Sequence, residues 1–272
     1  MRRRAVAAVV AGLAAVLAAG PPGGSAEAGA AGGAGGDARV DKVAGRGAVA
    51  GRGAVAGRGG RVAPSGFAAL REVDPSIRQD MRYAGAHNFT GGVVDGYEEP
   101  VCLLGRPAAE ALRRAQRGLL RRGYVLRVYD CYRPQRAVDQ FVRWARSAEG
   151  PGDARTKAEF HPHVDRDRLI PEGYIAPKSG HSRGSTVDVT LERLAGGALD
   201  MGTPFDYFDP LSHTADPRVG AAARANRQLL VQALGAQGFV NLPEEWWHFT
   251  LRPETFPGTH FDFPVSVASV RP

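Results

Sequence analysis

A stretch composed almost entirely of Gly, Ala, Val and Arg, from residue 29 to 63, limits what this chain can fold into. Within it, a six-residue repeat places Arg46, Arg52 and Arg58 in identical Ala-Gly-Arg-Gly contexts. Such a segment has too few large apolar side chains to offset the conformational entropy lost when a chain becomes ordered. We therefore expect a flexible tether here, followed by one folded domain over residues 64–272.

The first 28 residues have the layout of a secretory signal peptide. The arginines Arg2–Arg4 precede the uncharged run Ala5–Ala19, and Ser25-Ala26-Glu27-Ala28 offers small residues at a cleavage site. The alternative is a membrane anchor, which needs about 20 apolar residues, and Gly20-Pro21-Pro22 interrupts this run first. We predict a secreted or cell-envelope protein that has no stable membrane span once the signal is removed.

Positive charge is concentrated in these leading segments. The chain has 35 Lys and Arg against 28 Asp and Glu, a net charge of +7, and residues 1–60 contribute +5 of it. The remaining residues are close to neutral, whereas a surface that follows phosphates needs a concentrated basic stripe. Nucleic acid is therefore not an expected partner.

Hydrophobic periodicity and turn residues predict both helices and strands in the folded part. Helices are expected at Ala108–Arg122, Gln135–Arg146 and Ala221–Leu234. Strands are expected at Tyr124–Tyr129, Thr186–Leu191 and Trp246–Leu251. Because these elements do not alternate regularly, the sequence predicts an α+β fold. It would be a single domain whose central antiparallel or mixed sheet carries the functional site and is flanked by helices.

A polar stretch from Gly150 to Arg168 is expected to be a loop, one that could act as a lid. Two of the seven histidines in the chain, His161 and His163, lie in it. The pattern does not show whether this stretch contacts a substrate, and the role of both histidines stays open.

The two cysteines, Cys102 and Cys131, both fall in the part expected to be exported. An even number of cysteines in an oxidising compartment favours a disulfide. Closing this loop would stabilise the fold by about 3–4 kcal/mol in the chain-entropy model. A pair of free buried thiols is the alternative. Neither cysteine is expected to be a catalytic nucleophile, because no histidine adjoins Cys131.

Two segments carry the residue types of a catalytic metal site. They are Ser179-Gly180-His181-Ser182-Arg183-Gly184-Ser185-Thr186-Val187-Asp188 and Glu244-Glu245-Trp246-Trp247-His248-Phe249. Two imidazoles and a carboxylate, from His181, His248 and Asp188, would give the three protein ligands of a hydrolytic zinc site with one open position. The spacing of His181 and Asp188 would put them on opposite faces of an ideal strand. We therefore expect a turn or bulge between them, which Gly184 allows.

A metal hydrolase also needs a base beside the attacking water, and Glu245 stands three residues before His248. A carboxylate at that position can accept the proton of the water. The alternative for each histidine alone is a hydrogen-bonded structural role, and for Trp246 and Trp247 it is core packing. The two segments together favour one zinc ion per chain, with Glu245 as the general base.

A third segment, Asp130-Cys131-Tyr132-Arg133-Pro134, follows the predicted strand Tyr124–Tyr129. A guanidinium at that strand end could stabilise a carbonyl oxygen as it gains charge, or bind a carboxylate. The alternative is a surface ion pair between Arg133 and Asp130.

Taken together, these residues resemble the zinc D-alanyl-D-alanine dipeptidases of the VanX type. Besides the two zinc segments and Asp130-x-Tyr132-Arg133-Pro134, three further stretches match: Arg82-Tyr83-Ala84, Asn88-Phe89-Thr90-Gly91 and Met201-Gly202-Thr203-x-Phe205-Asp206. The resemblance runs from about Val73 to Arg252. The D,D-carboxypeptidases share the ligand scheme, but two tryptophans before His248 are more typical of the dipeptidases.

The resemblance implies hydrolysis of the small dipeptide D-alanyl-D-alanine, in peptidoglycan precursor metabolism or cell-wall dipeptide recycling. It implies that Arg133 stabilises the transition state, that Asp206 binds the substrate amine and that Ser179 binds the substrate carboxylate, with Asp130 also among the substrate-binding residues. Two alternatives remain: a D,D-carboxypeptidase acting on peptidoglycan stem peptides, or a non-catalytic exported wall-binding protein with structural zinc. The leader, the tether and the cysteine pair depart from the usual cytoplasmic enzyme.

Overall fold

Helices and strands follow one another irregularly along the chain in the computed structural model, which describes residues 61–271. The strands are Phe67–Ala69 (β1), Arg78–Gln79 (β2), Leu103–Gly105 (β3), Tyr124–Asp130 (β4), Thr186–Arg193 (β5), Phe239–Asn241 (β6) and His248–Leu251 (β7). The α-helices are Leu70–Val73 (α1), Arg106–Leu120 (α2), Gln135–Arg146 (α3), Ala154–Phe160 (α4) and Ala221–Gly235 (α5). The predicted signal peptide, residues 1–28, and most of the predicted tether, residues 29–63, lie outside the described residues.

The main sheet is mixed and has five strands in the order β2-β4-β5-β7-β6. The pair β2 and β4 is parallel, and the other neighbouring pairs are antiparallel. Strands β1 and β3 form a separate antiparallel pair. Helices α2 and α5 contact each other and also pack against strands of the main sheet. The predicted α+β fold, a single domain with a central mixed sheet flanked by helices, is confirmed.

Strand β5 lies at the centre of the main sheet and is buried along its length up to Glu192. Its apolar residues Val187, Val189 and Leu191 alternate with polar residues, so the two faces of the strand differ in chemistry. The polar residues, Asp188 among them, are buried as well. A buried carboxylate costs free energy unless a cation or hydrogen-bond donors compensate it. The centre of this sheet must therefore supply such partners.

The strand register places three polar residues in one row across the sheet. Asp130 at the end of β4 lies opposite Asp188 in β5, and Asp188 lies opposite His248 in β7. The β4 and β5 register shifts between Val128 and Asp130, so that Asp130 occupies the position that Tyr129 would take in a regular ladder. This irregularity brings a second carboxylate beside Asp188.

The predicted helices are present, with shifted ends. The first begins at Arg106 and ends at Leu120, about two residues before each predicted boundary. Its end differs because Arg122 and Gly123 form a hydrogen-bonded turn, in which Gly123 has a positive φ of 78°. The two other predicted helices match within one residue.

The strand predicted at Trp246–Leu251 begins only at His248. Trp246 and Trp247 instead lie in a turn, where the Trp246 amide donates to the Ser212 carbonyl. Both indole side chains are buried, and the Trp246 indole N–H donates to the Thr203 hydroxyl at 2.9 Å. These two aromatic side chains therefore pack in the core from a turn, and they do not belong to a strand.

The prediction of a loop over the stretch Gly150–Arg168 is wrong. It contains helix α4, preceded by a tight turn in which the Asp153 carboxylate accepts the Gly150 amide at 2.7 Å. Phe160 at the end of the helix is buried, and its carbonyl accepts the Phe208 amide at 2.7 Å. Only one side of the helix contacts the core, and most of its residues are polar. Its hydrophobic periodicity is therefore weak and hard to recognise in the sequence.

The two cysteines form the predicted disulfide. Cys102 directly precedes β3, and Cys131 directly follows β4. The bond therefore joins the two-stranded sheet to the main sheet beside the end of β4. Both residues are fully buried.

Gly184 ends the 3₁₀ turn Gly180–Arg183 that precedes β5, and this is the turn expected between His181 and Asp188. Its φ of 75° belongs to the left-handed region that favours glycine. A Cβ atom at this position would also overlap the ring of Phe67. The turn that presents His181 thus depends on the absence of a side chain here.

We expect Gly184→Ala to lower the free energy of unfolding by about 2–4 kcal/mol, because it combines a strained φ with overpacking. Chemical denaturation measures this effect. Gly118→Ala is the matched control, since Gly118 lies inside α2 and a Cβ there meets no atom within 4 Å. That control should be neutral or stabilising by up to about 1 kcal/mol. Equal effects of the two variants would contradict this account of the turn.

Candidate active site

Two imidazoles and one carboxylate converge at the end of the three central strands. The His181 Nε2 atom lies 3.3 Å from Asp188 Oδ1, and His248 Nδ1 lies 3.2 Å from the same oxygen. The two nitrogens are 3.3 Å apart. The structure thus brings together the three residues predicted as metal ligands, and they form a nearly equilateral triangle of potential donor atoms.

Different local structures present the three side chains. Asp188 and His248 face each other across β5 and β7 and so project from one face of the sheet. His181 belongs to the 3₁₀ turn, where its amide donates to the Ser179 hydroxyl at 3.3 Å. Gly184 then turns the chain into β5, which brings the histidine back above Asp188.

The triangle fits a divalent cation. Asp188 Oδ1 is buried and has no hydrogen-bond donor among the described residues. The Nδ1–H of His181 donates to the Cys131 carbonyl at 2.7 Å, which leaves Nε2 with a lone pair facing the other two atoms. In a tetrahedral zinc site with bonds of about 2.0–2.1 Å, ligand atoms lie about 3.3 Å apart. Three lone-pair donors at these separations require a shared positive charge.

Neighbouring charges shift the pKa values of Asp188 and His248. Burial alone would raise the pKa of Asp188, but the adjacent imidazoles of His181 and His248 bring it well below its usual range. Burial alone would lower the pKa of His248, but the negative charge of the adjacent Asp188 carboxylate raises it. Each group thus favours the charge state that the other compensates.

Glu245 lies beside the cluster, on the turn that leads into β7. Its carboxylate oxygen Oε2 is 3.4 Å from His248 Nδ1, and about a quarter of its side chain is exposed. Burial raises the pKa of this carboxyl group to about 7. A partly accessible carboxylate next to the three donor atoms has the geometry required of the predicted general base.

Arg133 is held over the cluster by Asp130. Its guanidinium NH2 group lies 2.8 Å from Asp130 Oδ2 and 3.6 Å from Asp188 Oδ2. Its centre lies 5.0 Å from the ring centre of Tyr83 and 5.1 Å from that of Phe141. These contacts fix a nearly buried cation close to the triangle.

Asp130 occupies a position that does not suit substrate binding, which corrects the expectation from the resemblance. It is fully buried, and its carboxylate already accepts from the Tyr97 hydroxyl at 2.6 Å and from Arg133. It also lies 3.4 Å from the Nδ1 atom of His181. Asp130 therefore orients Arg133 and supports His181, and it has no free oxygen to offer a ligand.

Asp206 is a buried carboxylate near Asp188 and Arg133, and its oxygen Oδ2 accepts the Tyr83 hydroxyl at 2.8 Å. Burial raises the pKa of Asp206 well above its usual range, and the negative charge of Asp188 raises it further. Its backbone has a positive φ of 59°, which is uncommon for a residue other than glycine and is often found at functional sites. This geometry is compatible with the expected amine contact.

Sequence reasoning missed two tyrosines that support the site. Tyr83 lies in a stretch that matches the family pattern, but the pattern does not assign it a role. Tyr97 gives no signal in the sequence, because a buried tyrosine looks like any core aromatic residue. Ser179 is half-buried at the start of the turn, which places it near His181.

His161 and His163 do not join the cluster. His161 is buried and donates to the Val164 carbonyl at 2.9 Å, so it serves the local structure after α4. His163 is exposed and contacts the Asp209 carboxylate at 2.8 Å.

In the part of the chain that the structure describes, no helix is long and apolar enough to cross a membrane.

Comparison with known proteins identifies the family. Residues 64–266 match the M15 peptidase family, described as D-Ala-D-Ala dipeptidase. The chain belongs to this family. It is therefore a metallopeptidase, and His181, Asp188 and His248 are its candidate metal site. The family resemblance seen in the motifs is confirmed.

Relatives of this M15 peptidase include several D-alanyl-D-alanine dipeptidases. The protein of that name from Streptomyces coelicolor is 44% identical over 201 residues, which cover 74% of this chain and 98% of that protein. The one from Enterococcus faecalis is 43% identical over 203 residues, 74% of this chain and 99% of its own length. The one from Escherichia coli is 34% identical over 182 residues, 67% and 82% of the two chains. Because the family match begins at residue 64, the first 63 residues lie outside it.

Proposed function

We propose that this M15 peptidase binds one zinc ion at His181, Asp188 and His248 and hydrolyses D-alanyl-D-alanine to two molecules of D-alanine. One observation carries the proposal: three donor atoms 3.2–3.3 Å apart, with Glu245 beside them, in a chain whose relatives bear the name of this dipeptidase.

Zinc is favoured by the chemistry of the donor set. Two imidazole nitrogens and one carboxylate oxygen, with no fourth protein ligand among residues 61–271, correspond to a catalytic zinc site that keeps one position open. A structural zinc ion normally has four protein ligands. This difference argues against the alternative of a non-catalytic wall-binding protein.

The residues around the donor atoms have different roles in peptide hydrolysis. When bound, zinc supplies a Lewis acid that polarises a carbonyl group and lowers the pKa of water. Glu245 accepts the proton of the attacking water and delivers it to the nitrogen of the leaving D-alanine. Arg133, held by Asp130, faces the negative charge that develops on the carbonyl oxygen.

The position of Asp206 favours a free dipeptide, rather than a peptidoglycan stem peptide, as the substrate. A buried carboxylate whose pKa is raised gains most from a cationic partner, and the free amine of a dipeptide supplies an ammonium group. The penultimate residue of a stem peptide is acylated at that nitrogen and carries no charge. The D,D-carboxypeptidase alternative would therefore leave Asp206 without its partner. Ser179, at the start of the His181 turn, is suited to receive the substrate carboxylate.

Export of the enzyme is part of the proposal. The leader of residues 1–28 has the pattern of a cleavable signal, and residues 29–63 have the composition of a tether. The buried disulfide supports the same conclusion, because disulfides persist in oxidising compartments. An enzyme placed there would act on dipeptides outside the cytoplasm, in the recycling of cell-wall fragments.

We expect Glu245→Gln to lower kcat for D-alanyl-D-alanine by about 10²- to 10⁴-fold, the usual contribution of a general base. The zinc content of the purified variant, measured by elemental analysis, should stay at one ion per chain. Glu244→Gln is the matched control, since Glu244 is the exposed neighbour on the same turn and should leave both values unchanged. A Glu245→Gln enzyme within a few-fold of the wild-type rate would show that the base lies elsewhere.

Acetylating the substrate amine should lower kcat/KM by about 10²- to 10³-fold, because Asp206 then loses a charged partner. The measurement compares D-alanyl-D-alanine with N-acetyl-D-alanyl-D-alanine and with a stem pentapeptide. Asp206→Asn should weaken cleavage of the free dipeptide and leave the residual rate on the acetylated substrate nearly unchanged. Equal rates on the free dipeptide and the pentapeptide would instead favour the D,D-carboxypeptidase.

A further inference from the structure

The disulfide Cys102–Cys131 lies directly behind the metal cluster. Cys131 follows the last residue of β4, so it stands between Asp130, which holds the guanidinium, and Arg133 itself. On the other side, Cys102 precedes β3, where its amide donates to the Gln79 side chain at 2.9 Å and its carbonyl accepts the Leu70 amide at 2.9 Å. The bond thus attaches the site-bearing end of β4 to a segment that is itself well anchored.

The main chain of Cys131 makes the shorter of the two polar contacts at His181 Nδ1, the other being the Asp130 carboxylate at 3.4 Å. Its carbonyl oxygen accepts the Nδ1–H of His181 at 2.7 Å, and this hydrogen bond sets both the ring orientation and the tautomer. The Nε2 lone pair then faces Asp188 and His248. A shift of the backbone at residue 131 would therefore move a ligand atom of the site.

The segment after β4 lies outside the sheet ladder and is held by contacts with other segments, among them the hydrogen bond from the Tyr132 hydroxyl to the Phe263 carbonyl at 3.0 Å. The ladder between β4 and β5 becomes irregular after Val128, and the Asp130–Asp188 pair is the last one between these strands. Beyond that pair, the amide of Tyr132 donates to the Leu103 carbonyl at 2.9 Å, on the same strand that follows Cys102. The segment is thus fixed against the start of β3 by one hydrogen bond and one covalent bond.

We propose that the Cys102–Cys131 disulfide is a positioning element for the active site, which sets His181 through the Cys131 carbonyl and Arg133 through the adjoining backbone. The inference rests on the proposed function and adds a redox requirement to it. Formation of the bond joins the two sulfur atoms and releases two protons and two electrons, which a disulfide-exchanging oxidant takes up as it becomes a dithiol. A chain folded with two thiols would hold zinc less tightly and turn over more slowly.

The test compares the wild type with Cys102→Ala/Cys131→Ala and with Cys102→Val/Cys131→Ala, which better fills the space of the bridge. Zinc affinity is measured by competition with a chromophoric chelator, and kcat and KM are measured on D-alanyl-D-alanine with zinc in excess. We expect zinc affinity to fall by about 10- to 100-fold, the usual effect of losing support for a ligand. We also expect kcat to fall more than KM changes.

Leu119→Ala is the control for a general loss of stability. Leu119 is fully buried in α2, and its carbonyl accepts the Arg122 amide just before β4 begins, at the opposite end of the strand from Asp130. This variant should lower the thermal midpoint as the cysteine variants do, while zinc affinity and kcat stay at wild-type values.

The inference is overturned if the cysteine variants keep wild-type zinc affinity and kcat, or if Leu119→Ala lowers both to the same extent. It is also overturned if neither cysteine variant folds, because the bond would then serve the whole fold rather than the site. A wild-type protein that binds zinc but leaves D-alanyl-D-alanine intact would contradict the proposed function alone. The comparison of zinc affinities would still decide the role of the disulfide.

Discussion

One buried carboxylate oxygen determines the organisation of this protein. Asp188 Oδ1 lies at the centre of the main sheet, without a hydrogen-bond donor among the described residues, and faces the lone-pair nitrogens of His181 and His248. Such an oxygen is costly to bury unless a cation compensates it. The strand register and the glycine-dependent turn both act to bring the two nitrogens to this oxygen, and the surrounding residues maintain that arrangement.

The residues behind the three donor atoms make contacts that are as specific as those among the donor atoms themselves. Asp130 uses its oxygens for Tyr97 and Arg133, and the Cys131 carbonyl orients His181. A cation with several neighbouring carboxylates is stable only if each group has a defined partner. This layer explains why Asp130 is better described as a positioning residue than as a substrate ligand.

The sequence predicted the elements that carry their own periodic pattern. The amphipathic helices α2, α3 and α5 and the strands β4 and β5 could be located from apolar spacing and turn residues. The ligand residues could be named because His, Asp and Glu at such spacing are chemically unusual. The support of Arg133 by Asp130 and Tyr97 could not be foreseen, because it depends on a register shift and on contacts between distant segments. Helix α4 was missed for a different reason, since its apolar contribution comes chiefly from one buried phenylalanine.

X-ray absorption spectroscopy of the zinc-loaded protein tests the central claim most directly. The account predicts one zinc ion per chain, four nitrogen or oxygen neighbours at about 2.0–2.1 Å and outer-shell scattering from two imidazole rings. A sulfur neighbour at about 2.3 Å, a single imidazole, or no stoichiometric zinc would contradict the claim that His181, Asp188 and His248 share one ion.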